Sequence, residues 1–531
     1  MKKLNYISSA LLALLLIGAC EQELIVTTPP EPDTTNTGPI DCAGAVAGTA
    51  SFSKFVAIGS SYVAGFQAGA LFDDGQNNSL AAILNKQFEC VGAPATFKQP
   101  TINTPLGFNI FVTPNPTTTG VVLGRMLLQG ASPRPTPQVS TVGAIPNPSV
   151  NPAFIYTGSK AELNNFGIQA IVLGQALIPE TGSWAAGAGG DPRFNPFYAR
   201  LAYPGTGTST VIGDAAGAAG SFFLFWLGMD DFLLHAAFGG DPTKAPLTTA
   251  PAFQAQYGAA IGALLGSNPN LKGVVVNFPS IFVMPHFTSV KWNPIPLDAT
   301  TAAGLTASLA NNYNAFLDGM VGAGAITAEE AAKRKLAYVA TTPTGPQNPV
   351  LINDETLTDL SPYMAGPYAG LLPYARARQT KNTDIFPLSA GSIIGTTIGG
   401  DPTKVYGVSV PLADQYCLIP SEIQAIETAR TAFNTTVKSV ADANSTRLAH
   451  ADVNAAFADF ITNQVYVLNG VAISPAINPP TGIYSEDGIH PNSRGYAFIS
   501  RVIIEAINGK FGSTIPLTNI SSYKPTALPI P

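Results

Sequence analysis

Ser221-Phe-Phe-Leu-Phe-Trp-Leu-Gly228, running straight into Met229-Asp230-Asp231, is the most apolar stretch of the chain beyond its first twenty residues. Its apolar residues are consecutive, so a strand built from them has no polar face to show to water. Such a strand must be covered on both sides, as strands of parallel sheets are. It is also too short to cross a bilayer, which takes about 20 apolar residues, and two aspartates close it. Shorter runs of the same kind lie at residues 55–58, 168–173, 273–278 and 336–340. Helical periodicity falls between several of them, at 79–88, 253–265, 301–321, 423–441 and 495–511. In the last, Ile499, Val502, Ile503, Ala506 and Ile507 recur at helical spacing before Asn508-Gly509. Strands alternating with helices predict an α/β fold around a parallel sheet.

Composition agrees with a large buried core. The chain has 531 residues, 46% of them hydrophobic, with 27 Lys and Arg against 33 Asp and Glu. Charged residues are 11% of the chain, less than half of the roughly 25% usual in soluble domains. That excludes the basic stripe of a nucleic-acid binder and the charge-rich, apolar-poor composition of disorder. Length alone would suggest about three domains. The single strand–helix series instead predicts one domain over 50–511, with a tail at 512–531. From about 285 to 414 the chain is rich in Pro and Thr and poor in strand signals, which predicts one or more insertions on the sheet. Gly-Gly-Asp-Pro recurs at 189–192, 239–242 and 399–402 with unequal spacing, and reads as three surface turns.

The N-terminus reads as an address. Lys2 and Lys3 precede an apolar run at 11–17, and Ile17-Gly18-Ala19-Cys20 resembles the lipobox of bacterial lipoproteins. The resemblance implies a signal peptide over 1–19, lipidation of Cys20, and anchoring in the bacterial cell envelope at the outer membrane. Residues 20–49, rich in Thr, Pro, Asp and Gly, read as a flexible tether. Cys42, Cys90 and Cys417 remain, in no metal-ligand spacing. Outside the cytoplasm one disulfide is expected among three possible pairings, Cys42–Cys90 being the nearest in sequence.

Only four histidines are present, so the search for a base is short. His235 lies in an apolar helical stretch, His286 in a loop after a strand, and His450 at a strand entry two residues before Asp452. His490 stands in Ser485-Glu-Asp-Gly-Ile-His-Pro-Asn-Ser-Arg-Gly-Tyr496. Asp487, three residues earlier, can reach its Nδ1 across a turn, fix the tautomer and leave Nε2 as a base. The alternative is a capping turn for the following helix. A nucleophile is offered by Phe55-Val-Ala-Ile-Gly-Ser-Ser-Tyr62. Ser61 there follows the first strand, at the end where open α/β sheets place their ligands.

Together these two ends resemble the SGNH (GDSL-type) hydrolase family, and in particular its lipid-anchored bacterial members with long inserts. Gly59-Ser60-Ser61-Tyr62 is similar to the first family block, with Ser60 where the family has Asp. Asp487-Gly-Ile-His490 matches the last. Gly75-Gln-Asn-Asn-Ser79 and Asn195-Pro-Phe-Tyr-Ala-Arg200 add to the likeness, which covers about 55–280 and 420–510. The resemblance implies a three-layer α/β/α sandwich with a flavodoxin-like parallel sheet. It also implies a serine ester hydrolase with Ser61 as nucleophile, His490 as base and Asp487 orienting it. No metal or organic cofactor is implied, and the substrates are acyl esters of lipids or acetyl groups on carbohydrate. Oxyanion donors are expected at the Ser61 and Ala170 N–H groups, Ala170 standing where the family usually has Gly. Asp230 takes the place of the family's oxyanion Asn, and an ionised carboxylate there would repel an oxyanion. No protein partner is inferable. Two other readings stay open: an envelope lipoprotein that binds a glycan or lipid without turnover, and a structural lipoprotein in which Ser61 and His490 lie far apart.

Overall fold

A computed structural model describes residues 40–107, 123–130, 134–139, 155–202, 207–345, 347–463 and 465–527. The signal peptide, Cys20 and most of the expected tether lie outside the described residues. Five strands form one all-parallel sheet: β1 (Phe55–Gly59), β2 (Asn165–Gly167), β3 (Phe222–Trp226), β4 (Lys272–Val276) and β5 (Leu448–Ala451). Their order across the sheet is β5-β4-β3-β1-β2. Every residue of β1 and β3 is buried, as runs with no polar face require. Register pairs Phe55 with Phe222 and Gly59 with both Trp226 and Gly167, which brings the C-terminal ends of three strands level.

Helices flank the sheet in two packed groups, consistent with a three-layer arrangement. Helix α1 (Ser61–Ala64) leaves β1 directly. Helix α2 (Leu80–Phe88) packs on the C-terminal helix α7 (Ser493–Phe511). The other group holds α3 (Val211–Gly217), α4 (Asp230–Ala237), α5 (Ala250–Ser267) and α6 (Pro420–Ala443). Ser79, Thr210, Thr249 and Asn492 cap α2, α3, α5 and α7 with side-chain oxygens. No described helix is long and apolar enough to cross a membrane.

Two expected strands are not strands. Residues 168–173 are a turn-rich loop, and the paired segment lies just before them at β2. Ile168, Ile171 and Leu173 are nonetheless buried, so their apolar character reflects depth in the core and not a ladder. Residues 336–340 run without a strand partner. There Leu336 and Tyr338 are buried while Ala337 and Val339 are exposed, the alternation of a half-buried strand. Side-chain amides replace the ladder: Asn314 Oδ1 accepts from Leu336 N, Gln379 Oε1 from Ala337 N, and Asn348 Oδ1 from Val339 N, at 2.9–3.0 Å.

Between β4 and β5 the chain builds a second hydrophobic cluster of its own, from Ile295 to Ile419. A short antiparallel pair, Leu351–Asn353 with Ala377–Gln379, crosses it. Buried Arg378 pairs with Asp354 and Asp384 at 2.5 and 2.7 Å, and Cys417 is a buried free thiol in the same cluster. Cys42 and Cys90 form a disulfide. Residues 46–49, assigned to the tether, are bonded to the C-terminal segment: Thr49 N donates to Phe511 O and Thr514 N to Val46 O. The tail beyond α7 is likewise packed, with Ile515 and Ile520 buried.

Candidate active site

The strand order reverses direction between β1 and β3, the switch point at which open α/β sheets leave a crevice. Three loops converge there from the level strand ends. After β1, Gly59 admits a tight exit, since a Cβ would lie 2.2 Å from Val63 Cγ2. Ser60 and Ser61 follow, 4% and 3% exposed. After β2, Gly167 passes under α1 where any Cβ would meet Ala64 N at 2.3 Å. The chain then turns at Ala170, whose N–H donates to Ser61 Oγ at 3.2 Å. That turn places Ala170 at φ +52°, in the left-handed region that costs an L-residue roughly 1 kcal/mol or more. Asn195 steadies it, its Nδ2 donating to Gln169 O at 3.0 Å.

After β3 come Asp230 and Asp231, both buried. Burial pushes the Asp231 carboxyl up to about 7, against hydrogen bonds from Leu173 N–H and the Thr248 hydroxyl, each 2.8 Å long. Asp231 therefore ties the Ala170 loop to the start of α4. Burial also raises Asp230, to about 6, opposed by Ser60, by the charge of His490 and by the Ile171 N–H. Its Oδ2 is buried without a hydrogen-bond partner among the described residues.

The fourth contributor comes from the far end of the chain. His490 Nδ1 and Asp487 Oδ2 are 2.9 Å apart. Asp487 Oδ2 also accepts from Gly69 N, and its Oδ1 from Ile489 N and His490 N, all at 2.8 Å, with the Ser485 hydroxyl at 3.2 Å. Burial alone would raise this carboxyl, but the charge of His490 and these donors outweigh it and hold it at about 2. Asp487 does not cap α7; Asn492 does, accepting from Gly495 N at 3.0 Å. The capping alternative for Asp487 is thereby set aside.

Tyr62 and Phe66 join the two ends. Their rings stand edge-on to the His490 imidazole, with centroids 5.6 and 4.8 Å away. The Tyr62 hydroxyl donates to Ile489 O, and Ala68 N to Ser485 Oγ. Tyr62, the residue after Ser61, thus packs against His490, but no hydrogen bond links Ser61 to His490 among the described residues. The remaining histidines are elsewhere or in support. His235 Nδ1 is bonded to Ala245 O, and His450 lies within β5. His286 stands in the short helix Pro285–Thr288, not in a loop, its Nδ1 3.3 Å from Asp487 O and its backbone N–H donating to Gly488 O. Burial pulls His286 down to about 4.

Several participants carry no sequence signature. Gly69 acts through one backbone N–H and Ser485 through its hydroxyl, and Gln169 Nε2, Trp226 Nε1 and His286 Nε2 are buried without partners on this edge of the sheet. Unsatisfied buried groups are uncommon and concentrate where water or a ligand completes them. Compared with protein-family models, with curated proteins and with solved structures, the chain matches none, and the chemistry of the crevice is read from its own geometry.

Proposed function

We propose that the chain is a serine ester hydrolase of the SGNH type, built on a flavodoxin-like three-layer fold and held in the bacterial envelope by lipid on Cys20. The observation that carries this reading is the Asp487–His490 pair, 2.9 Å apart and buried, opening onto the crevice that holds Ser61. With Nδ1–H donated to Asp487, Nε2 is the free base of the imidazole. Ser61 Oγ attacks the acyl carbon while His490 takes its proton. The tetrahedral intermediate collapses to an acyl-serine as His490 protonates the departing alcohol. Water, deprotonated by His490, then releases the acid and restores Ser61.

The Ala170 N–H cannot serve both the Ser61 hydroxyl and an oxyanion. In the free protein it is taken by Ser61 Oγ. Attack swings the hydroxyl toward His490, which frees that N–H for the charge developing on the substrate. The Ser61 N–H, which donates to nothing among the described residues, adds a second donor. Asp230 supplies a third while its carboxyl is protonated, and burial keeps it so up to about pH 6. A fluorophosphonate probe should label the purified chain and fail on Ser61→Ala, with loss of p-nitrophenyl acetate hydrolysis alongside. The second reading, a non-catalytic glycan- or lipid-binding lipoprotein, draws on Asp230 standing in the place of an amide. Absence of both labelling and hydrolysis in the wild type would overturn the hydrolase reading.

A further inference from the structure

The insert carries a groove of about 960 Å³ that shares no residue with the crevice around Ser61. One wall is a helix running through Ala299–Leu305, a π turn at Thr306–Ala310 and Asn311–Gly322; the others are the 3₁₀ run Gly366–Tyr374 and the strand Asp401–Val405 with its return. Its volume lies within the roughly 300–1,000 Å³ range of small-ligand sites. π turns inside helices occur frequently at functional sites.

Two features limit what can fill it. No Asp, Glu, Lys, Arg or His lines it, so neither an anion nor a cation would find a countercharge. Five of its hydroxyls have also committed their hydrogens inward. Thr301 donates to Asp298, Ser308 to Gly304 O, Thr403 to Asp401, Ser409 to Thr403 O and Tyr374 to Ser409 O. The Asn312 amide nitrogen donates to Ser308 O. What the five hydroxyls offer a ligand is oxygen lone pairs, while Asn312 keeps a second N–H and Tyr368 its hydroxyl proton. A ligand satisfying them must be neutral and rich in O–H donors, whereas an acyl chain would leave them unpaired. Tyr368, 43% exposed with its ring 5.0 Å from Phe316, adds an apolar surface of the kind a sugar ring covers.

Gly304 and Gly370 both face the groove, and at each an added Cβ would meet no atom within 4 Å, so a larger side chain at either position would project into the open space. We propose that this groove binds a neutral carbohydrate chain, independently of the crevice around Ser61.

The test is native-gel affinity electrophoresis of the whole purified chain against soluble β-glucan, mannan and xylan. Retardation is expected with at least one polysaccharide, equally in wild type and Ser61→Ala. Gly304→Trp, which fills the groove without displacing backbone, should weaken retardation at least tenfold, and Tyr368→Ala at least threefold, with unchanged circular dichroism. No retardation by any of the three, retardation that survives Gly304→Trp, or retardation lost with Ser61→Ala would overturn the proposal. So would saturable uptake of a fluorescent long-chain fatty acid that Gly304→Trp abolishes while no polysaccharide binds.

Discussion

At Asp230, burial and charge pull in opposite directions. A carboxyl raised to about 6 donates a proton below that pH and presents a negative charge above it. Hydrolysis should therefore fall as pH rises through about 6. Asp230→Asn removes the alkaline limb. Since one oxyanion donor is worth about 100- to 1,000-fold, its kcat at pH 8 should exceed the wild type's by at least tenfold; an unchanged profile would show that Asp230 does not face the oxyanion. Ala170 poses a milder question. Its φ of +52° is one that glycine adopts freely, so Ala170→Gly should keep activity within about twofold. Relief of strain, less the entropy glycine adds to the unfolded chain, should leave stability within about 1 kcal/mol of wild type or above it. Chemical denaturation reads that difference. Asp487 and His490 were legible because their spacing is local. Gly69 and Ser485, more than 400 residues apart in sequence, were not, because one backbone N–H and one hydroxyl leave no pattern.

At the scale of elements, the site depends on loops held to helices by few bonds. Asp231 alone ties the Leu173 N–H and the Thr248 hydroxyl to the start of α4. Asp231→Ala leaves that buried N–H unpaired, which should cost about 2 kcal/mol. It should also lower kcat more than it raises KM, because the Ala170 donor moves with the loop; equal activity with reduced stability would confine Asp231 to a structural part. The sheet itself was readable where strands are buried on both faces, as at β1, β3 and β4. It was misread at 168–173 because burial and pairing leave the same apolar trace. It was misread at 336–340 because Asn314, Asn348 and Gln379 take the place of a neighbouring strand, and side-chain amides far along the chain cannot be anticipated from an alternating pattern.

For the molecule as a whole, several carboxyls are buried, among them those of Asp231 and Glu486. Asp231 and Glu486 are raised by burial to about 7, and Glu422 to about 8. Such groups hold protons in the folded state that the unfolded chain has already released, so stability falls as pH rises through their folded values. His235, His286 and His450 have values lowered by burial and act oppositely, but only below the ordinary value near 6.5. Between pH 6.5 and 8.5 the carboxyls act alone, and the melting temperature should decline across that window. Glu422→Gln should flatten the decline, measurable by scanning calorimetry; a flat wild-type curve would contradict it. The insert announced itself in composition, but its separate core did not, since clusters are defined by contacts and not by order along the chain. The Cys42–Cys90 bond has one more consequence, for a protein pulled from its N-terminal end. It closes residues 43–89 into a covalent ring that contains β1, Ser61 and α2. Tension entering upstream crosses from Cys42 to Cys90 and bypasses that ring, so mechanical stretching cannot draw out the segment that carries the nucleophile.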